Sequence, residues 1–84
     1  QEIKEILDPG DIFDINFNNR TFYAFYDLED GNYLAVDKNL KVYSLVHDAQ
    51  PMAKGMKISF PDILNKICSE QFDKEAHFRE RYSN

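Results

Sequence analysis

The sequence predicts an α+β fold, in which an antiparallel four-stranded β-meander packs against a C-terminal α-helix and a short N-terminal helix precedes the sheet. Four short segments rich in aromatic and β-branched residues follow one another across brief polar turns, and strands joined in this way pair as antiparallel neighbours. A later segment instead repeats its apolar residues at helical spacing. The chain has 84 residues, so we expect residues 1–84 to form one domain around one core.

Each predicted strand is bounded by turn-forming residues. The strands are Asp11–Phe17, Thr21–Leu28, Tyr33–Val36 and Lys41–His47. In the second strand, aromatic residues on both faces predict a central position, and plain alternation places on one face Phe22, Ala24, Tyr26 and Leu28. Tight turns are predicted at Asn18-Asn19 and at Glu29-Asp30-Gly31-Asn32, because asparagine and glycine tolerate positive φ.

The helices are predicted by apolar spacing and by capping residues. The short first helix covers Glu2–Leu7 and ends before Pro9, because proline disfavours helical backbone in the residue before it. Asp48–Lys57 contains proline and glycine and predicts a loop. Ser59 is predicted to cap the last helix, whose apolar stripe is Phe60, Ile63, Leu64, Ile67 and Cys68. For the charged residues after Phe72, a helical tail and a frayed one both stay open.

The charge of the chain is acidic and uneven. The formal net charge is −5, and residues 1–48 contain ten acidic residues against four basic ones, whereas residues 49–84 contain five against six. An acidic field repels nucleic acid phosphate and anionic lipid, so we expect no nucleic acid or membrane partner and favour a basic protein. The alternative is that the acidic residues only keep a small domain soluble.

The cysteine content and the hydropathy of the chain indicate the cellular compartment in which it folds. Cys68 is the single cysteine, which excludes an intramolecular disulfide and any site built from several cysteines. No apolar run approaches the roughly 18–20 residues that span a bilayer. A small domain that folds without disulfides suits a reducing compartment, so we expect a cytoplasmic protein.

No catalytic, metal or cofactor site is predicted, although clefts assembled from distant residues keep an enzyme or small-ligand binder open. His47 and Asp48 are adjacent on a predicted strand and should point to opposite faces. Cys68 is expected to be a buried core thiol, and His77 lies in the charged tail with no visible ligand partner. The acidic segment from Asp27 to Asn32 lacks the glutamate that a calcium loop requires at its twelfth position.

Tyrosines among acidic turns predict a protein-binding surface. Tyrosine is enriched at interfaces because it offers a large contact area and a hydroxyl group at low entropic cost. The predicted partner-binding carboxylates are Asp27, Glu29, Asp30 and Asp37, and the predicted anchors are Tyr33 and Tyr43. The alternative, for these tyrosines and for Tyr23 and Tyr26, is a place in the core or on the sheet surface.

Four short segments between Phe22 and Leu64 match a known pattern: Asp30–Asp37, Lys41–Tyr43, His47-Asp48 and Ile58–Leu64. This half of the chain resembles the C-terminal part of the SUKH superfamily, which includes many bacterial toxin-immunity proteins. The resemblance implies an antiparallel sheet packed with helices, no catalysis, and binding of a cognate toxin, often a nuclease. The chain departs from that family in having no tryptophan and no N-terminal Leu-Pro element. The alternative function is a generic protein-interaction or homo-oligomerisation domain of a larger protein, which includes a homodimer.

Overall fold

The computed structural model describes residues 12–83, and these form an antiparallel sheet with two helices, which confirms the α+β class. The strands are β1 (Phe13–Phe17), β2 (Arg20–Glu29), β3 (Asn32–Val36), β4 (Lys41–Leu45) and β5 (Ala53–Ser59). The helices are α1 (Phe60–Cys68) and α2 (Lys74–Tyr82). The sheet is a meander with the order β1-β2-β3-β4-β5. The helix predicted over Glu2–Leu7 lies outside the described residues.

The two predicted hairpin turns are confirmed. Asn18 and Asn19 join β1 to β2 with φ values of 52° and 63°, and Glu29, Asp30 and Gly31 also have positive φ between β2 and β3. Glycine and asparagine adopt this region at low cost, whereas glutamate and aspartate need local support. The carboxylate Oδ1 of Asp27 supplies it by accepting a hydrogen bond from the backbone N–H of Glu29 at 2.7 Å.

The segment predicted as the loop Asp48–Lys57 contains a fifth strand, so the four-strand prediction is wrong in number. Strand β5 pairs with β4 as an edge, and Gly55 lies opposite Tyr43. A Cβ atom on Gly55 would stand 3.1 Å from the side chain of Lys41 and 3.6 Å from the ring of Tyr43. The glycine that favoured a loop is therefore used for close side-chain approach within the sheet.

The side chains of β2 do not alternate simply, because the strand contains an irregularity. The register with β3 shifts between Ala24 and Tyr26, so Phe25 and Tyr26 both join the core beneath the helices. Phe22 instead belongs to a cluster that does not include Leu28. The prediction that Phe22, Ala24, Tyr26 and Leu28 share a face is wrong, since one extra residue in a strand reverses every later side chain.

Within the described residues, the sheet carries two apolar clusters. The larger one packs with the helices and consists of Phe25, Tyr26, Leu28, Leu34, Val36, Val42, Val46, Ala49, Ile63 and Ile67. The smaller one consists of Phe22, Ala35, Tyr43 and Leu45, with Ile15, Phe17 and Ala53 packed against it. Central strands β2, β3 and β4 contribute to both clusters, which agrees with the predicted central position of the aromatic strand.

Helix α1 begins at the predicted cap. The Ser59 hydroxyl accepts a hydrogen bond from the backbone N–H of Asp62 at 3.2 Å. Ile63 and Ile67 are buried against the sheet, one helical turn apart. Cys68 is exposed, so the prediction of a buried core thiol is wrong. It is the last residue of the helix and lies about 140° around the axis from Ile63, beyond the buried stripe.

The charged tail forms a second helix rather than fraying. Asp73 caps α2 by accepting a hydrogen bond from the backbone N–H of Ala76 at 3.1 Å. The residues that α2 buries most are polar, namely His77 and Arg81, one turn apart. Neither α2 nor any other helix within residues 12–83 is long and apolar enough to cross a membrane.

Replacing the α1 cap should destabilise the domain measurably. In Ser59→Ala the backbone N–H of Asp62 loses its acceptor, so we expect the free energy of unfolding to fall by about 1 kcal/mol. Urea denaturation followed by circular dichroism measures this change. Ser59→Asp retains an acceptor and should keep most of the wild-type stability. Equal losses in the two variants would contradict the capping role.

Candidate functional site

The structure divides the six predicted partner-binding residues between the two ends of the sheet. Asp27, Glu29 and Asp30 lie at or beside the β2–β3 turn, and Tyr33 pairs with Asp27 across that hairpin. Asp37 lies at the β3–β4 turn, which is the opposite end of a meander. Tyr43 lies within β4, between Ala35 and Gly55 on the neighbouring strands.

Beside the β2–β3 turn lies an open cleft of about 370 Å³, which we name the acidic cleft. It is lined by Asp30, Asn32, His47, Asp48, Phe78 and Tyr82. The β2–β3 turn, the β4–β5 loop and helix α2 all contribute to it. Of the predicted site residues only Asp30 lines this cleft, and the other five lining residues were not predicted as partner-binding.

The floor of the acidic cleft is held by the buried side chain of Asn32. Its Oδ1 accepts a hydrogen bond from the backbone N–H of His47 at 3.0 Å and lies 2.7 Å from His47 Nδ1. Because a carbonyl oxygen only accepts, Nδ1 carries the proton in this arrangement. The amide of Asn32 thereby fixes the start of the β4–β5 loop against strand β3.

His47 and Asp48 come together at the mouth of this cleft. Strand β4 ends at Leu45 rather than at His47, and the two residues occupy a turn. His47 Nε2 and Asp48 Oδ2 are 3.3 Å apart. The prediction that they point apart is wrong, because it assumed strand geometry beyond the point where the strand ends.

One wall of the acidic cleft is aromatic. The rings of Phe78 and Tyr82 are stacked, with centroids 6.1 Å apart and planes inclined by 14°. Tyr82 is 50% exposed, which is high for a large aromatic residue. A ring face beside carboxylates is suited to a guanidinium or ammonium group, since both attract a cation.

Two of the predicted acidic residues make polar contacts within the domain. Asp27 supports the turn through the N–H of Glu29, and Glu29 Oε2 lies 3.1 Å from Lys74 Nζ. Lys74 also lies over the ring of Tyr26, 5.4 Å from its centroid. These contacts tie α2 to the β2–β3 hairpin. Asp30 and Asp48 are the carboxylates of this end that line the cleft, and Asp48 lies there beside the imidazole of His47.

Asp37 and Tyr43 have structural partners at and near the opposite end. Asp37 Oδ1 accepts hydrogen bonds from the backbone N–H groups of Asn39 and Lys41 at 2.9 and 3.0 Å, which stabilises the β3–β4 turn. The Tyr43 hydroxyl accepts from Arg20, and both Arg20 and Lys41 lie over its ring. Binding of a partner by these residues stays a prediction.

A buried polar cluster attaches α2 to β4 and the β4–β5 loop. Arg81 is 3% exposed; its Nε donates to Ser44 Oγ at 3.0 Å and its Nη2 donates to the Ser44 carbonyl at 3.1 Å. Nη2 also donates to the carbonyl oxygens of Pro51 and Met52 at 2.7 and 2.6 Å. His77 Nε2 lies 2.7 Å from Ser44 Oγ. His77, which showed no ligand partner in the sequence, is therefore a structural member of this cluster.

The surroundings of His77 disfavour its charged form. Burial is the main cause that lowers the pKa of His77 below its ordinary value, and the positive charge of Arg81 lowers it further. Lys54 acts in the same direction, whereas Glu80 opposes it. Burial also lowers the pKa of Arg81, with the neighbouring Tyr82 acting in the opposite direction.

Among residues 12–83, no group of three or more histidine, cysteine, aspartate or glutamate side chains is arranged to hold a metal ion. The acidic segment from Asp27 to Asn32 forms the hairpin turn instead. No family model, curated protein or solved structure matches this chain. The structural case for a function therefore depends on the geometry and charge of the acidic cleft.

Sequence reasoning missed the remaining cleft residues for an identifiable reason. Asp48, Phe78 and Tyr82 come from a loop and a helix that were not expected to meet the β2–β3 turn. The available signal was the spacing of Phe78 and Tyr82, which places two aromatic rings one turn apart if the tail is helical. That signal identifies a surface only once the tail is known to be a helix.

The lowered pKa of His77 predicts a loss of stability in mild acid. In the unfolded chain the imidazole of His77 binds a proton near pH 6.5, whereas in the folded protein it does so only at lower pH. The contribution of His77 to the free energy of unfolding is therefore complete above about pH 6.5. It should fall as the pH drops from there toward the folded-state pKa. In His77→Gln this component should vanish, while Gln keeps a group able to bond Ser44.

Urea unfolding at several pH values between about 7 and 5 measures this component. The control is Asn65→Gln, an exposed substitution in α1 that introduces the same side chain but leaves both histidines in place. It should keep the pH dependence of the wild-type protein. An unchanged pH dependence in His77→Gln would contradict the assignment.

Proposed function

We propose that this domain is a non-catalytic binding protein that takes a basic protein partner at the acidic cleft. The observation that carries the proposal is the combination, in one recess, of the carboxylates of Asp30 and Asp48 with the half-exposed ring of Tyr82. An arginine or lysine side chain of a partner would gain ion pairing from the carboxylates and a cation–π contact from the ring. Such an anchor in a recess is typical of the residues that dominate protein interfaces.

The overall charge favours the same class of partner. The chain carries a net charge of −5, and the excess of acidic residues lies in residues 1–48, which include the β2–β3 turn. Complementary charge raises association rates to about 10⁸–10⁹ M⁻¹s⁻¹ at low salt. Asp27 and Glu29 flank the cleft and add to this field even where they also have partners within the domain.

Within this class we propose the role of an immunity or inhibitor protein that neutralises a basic toxin, for which a nuclease is a suitable example. A nuclease needs a cationic surface to hold the phosphate backbone. An acidic domain that covers such a surface blocks access of the substrate without any catalytic group. The resemblance of Phe22–Leu64 to the SUKH superfamily supports this role.

A homo-oligomerisation domain is the second candidate, and strand β1 favours it. In the described sheet β1 is an edge strand, and Ile12 and Phe13 at its start are 42% and 39% exposed. Exposed strand edges with apolar side chains pair readily with another chain. Light scattering across protein concentration separates the candidates, because a concentration-independent homodimer without another partner favours the second.

Removing two carboxylates from the acidic cleft should weaken partner binding. The partner is first recovered from the native source at low salt and identified, and the binding of the purified pair is measured by calorimetry at several salt concentrations. For Asp30→Asn with Asp48→Asn we expect a loss of about tenfold or more in affinity and a weaker salt dependence. The substitutions change charge but hardly shape, so the fold should be retained.

Asp14→Asn with Glu70→Gln is the matched control, because it also removes two negative charges, both from exposed carboxylates that do not line the cleft. It should leave the affinity nearly unchanged. Equal effects of the control and the cleft variants would show that only net charge matters. A recovered partner that binds the double variant as tightly as the wild-type protein would refute the acidic cleft as the binding site.

A further inference from the structure

Another recess, which is lined by Arg81 and not by residues of the acidic cleft, has the opposite charge. It is a cavity of about 330 Å³ between α2 and strands β4 and β5, and we name it the cationic cavity. The residues that matter here are Ser44, Lys54, Lys57, His77, Glu80 and Arg81. We propose that the cationic cavity binds a small oxyanion, a phosphate or carboxylate group, on the guanidinium of Arg81.

The first observation is an unused donor. Nε and Nη2 of Arg81 donate to Ser44, Pro51 and Met52, whereas Nη1 is buried and has no hydrogen-bond partner within residues 12–83. Buried polar groups are nearly always paired, and a buried guanidinium most of all. An oxyanion oxygen is the partner that a guanidinium N–H binds best.

The second observation is an uncompensated charge. Every partner of Arg81 in the described residues is a hydroxyl or carbonyl oxygen, and none of the described ion pairs includes a carboxylate bound to it. Buried charges are ordinarily paired or bound to a ligand. An anion in the cavity would supply the missing negative charge.

The third observation is the charge of the lining. Lys54 and Lys57 join Arg81 on the cavity wall, against the single carboxylate of Glu80. This excess of positive charge occurs in a chain whose net charge is −5, so it runs against the composition. His77 lies in the same wall, and the N–H of its imidazole can add a neutral donor.

The size of the cavity limits the ligand. A volume of about 330 Å³ is at the lower end for small-molecule sites, which suits a phosphate or carboxylate group on a small molecule. Nη1 itself is shielded from solvent, so contact with the anion requires a neighbouring side chain to move, and the exposed Glu80 on the same wall is suited to this. This site is separate from the acidic cleft and does not depend on the function proposed for it.

Nuclear magnetic resonance titration tests the proposal. Inorganic phosphate and, separately, acetate are added to the folded domain at constant ionic strength, with chloride as the reference anion. We expect saturable shifts of the Arg81 Nε–H and His77 ring resonances with at least one oxyanion and none with chloride. A response to phosphate alone, or to acetate alone, assigns which oxyanion group the cavity takes.

Lysine variants locate the binding. Lys54→Ala and Lys57→Ala should each weaken the affinity about fivefold, because each removes one positive charge from the wall. Lys38→Ala removes an exposed charge from the β3–β4 turn and should have no effect. Thermal unfolding without added anion shows that these exposed substitutions retain the fold, and Arg81→Met, if folded, should abolish binding.

Two results would overturn the proposal. One is the absence of any saturable shift at Arg81 and His77 with either oxyanion. The other is an equal loss of affinity in Lys38→Ala and in the two cavity variants, which would assign the effect to net charge. In both cases the role of Arg81 would be purely structural, and its Nη1 would donate to a buried water.

Discussion

The guanidinium of Arg81 is the contact on which the arrangement of this domain depends. It joins helix α2 to strand β4 through Ser44 and to the β4–β5 loop through Pro51 and Met52. Helix α1 is held differently, by the apolar side chains of Ile63 and Ile67. Helix α2 has few apolar residues, so hydrogen bonds to buried backbone carbonyls take the place of an apolar stripe. A buried guanidinium that loses these hydrogen bonds costs free energy, so the bonds fix the position of α2 against β4 and the loop.

The position of α2 shapes both the acidic cleft and the cationic cavity. Once Arg81 and His77 are buried, Phe78 and Tyr82 face the β2–β3 turn, where Asp30 and Asp48 complete the acidic cleft. The other side of the same helix closes the cationic cavity against β5. The ion pair of Lys74 with Glu29 fastens the start of α2 to the same hairpin. Two recesses of opposite charge thus share one helix, and a change in its docking would alter both.

Local signals in the sequence predicted much of the fold. The asparagine pair at 18 and 19, the turn at 29–32 and the Ser59 cap each depend on residues a few positions apart, and each is confirmed. The failures came from long-range effects. The extra residue at Phe25 changed the face of later side chains, and Gly55 entered a strand because it allows close approach to Tyr43 and Lys41. Of the cleft, only Asp30 was predicted.

The sequence by itself determined the α+β class, the positions of the turns and the start of α1, since these follow from backbone preferences and the period of apolar residues. It also determined the acidic character of the first half of the chain. Only the tertiary structure decided that the charged tail is a helix docked through His77 and Arg81, and that Tyr82 stands beside Asp30 and Asp48. The physical reason is that buried polar contacts join residues about thirty to forty positions apart, a distance over which sequence spacing carries no geometric information.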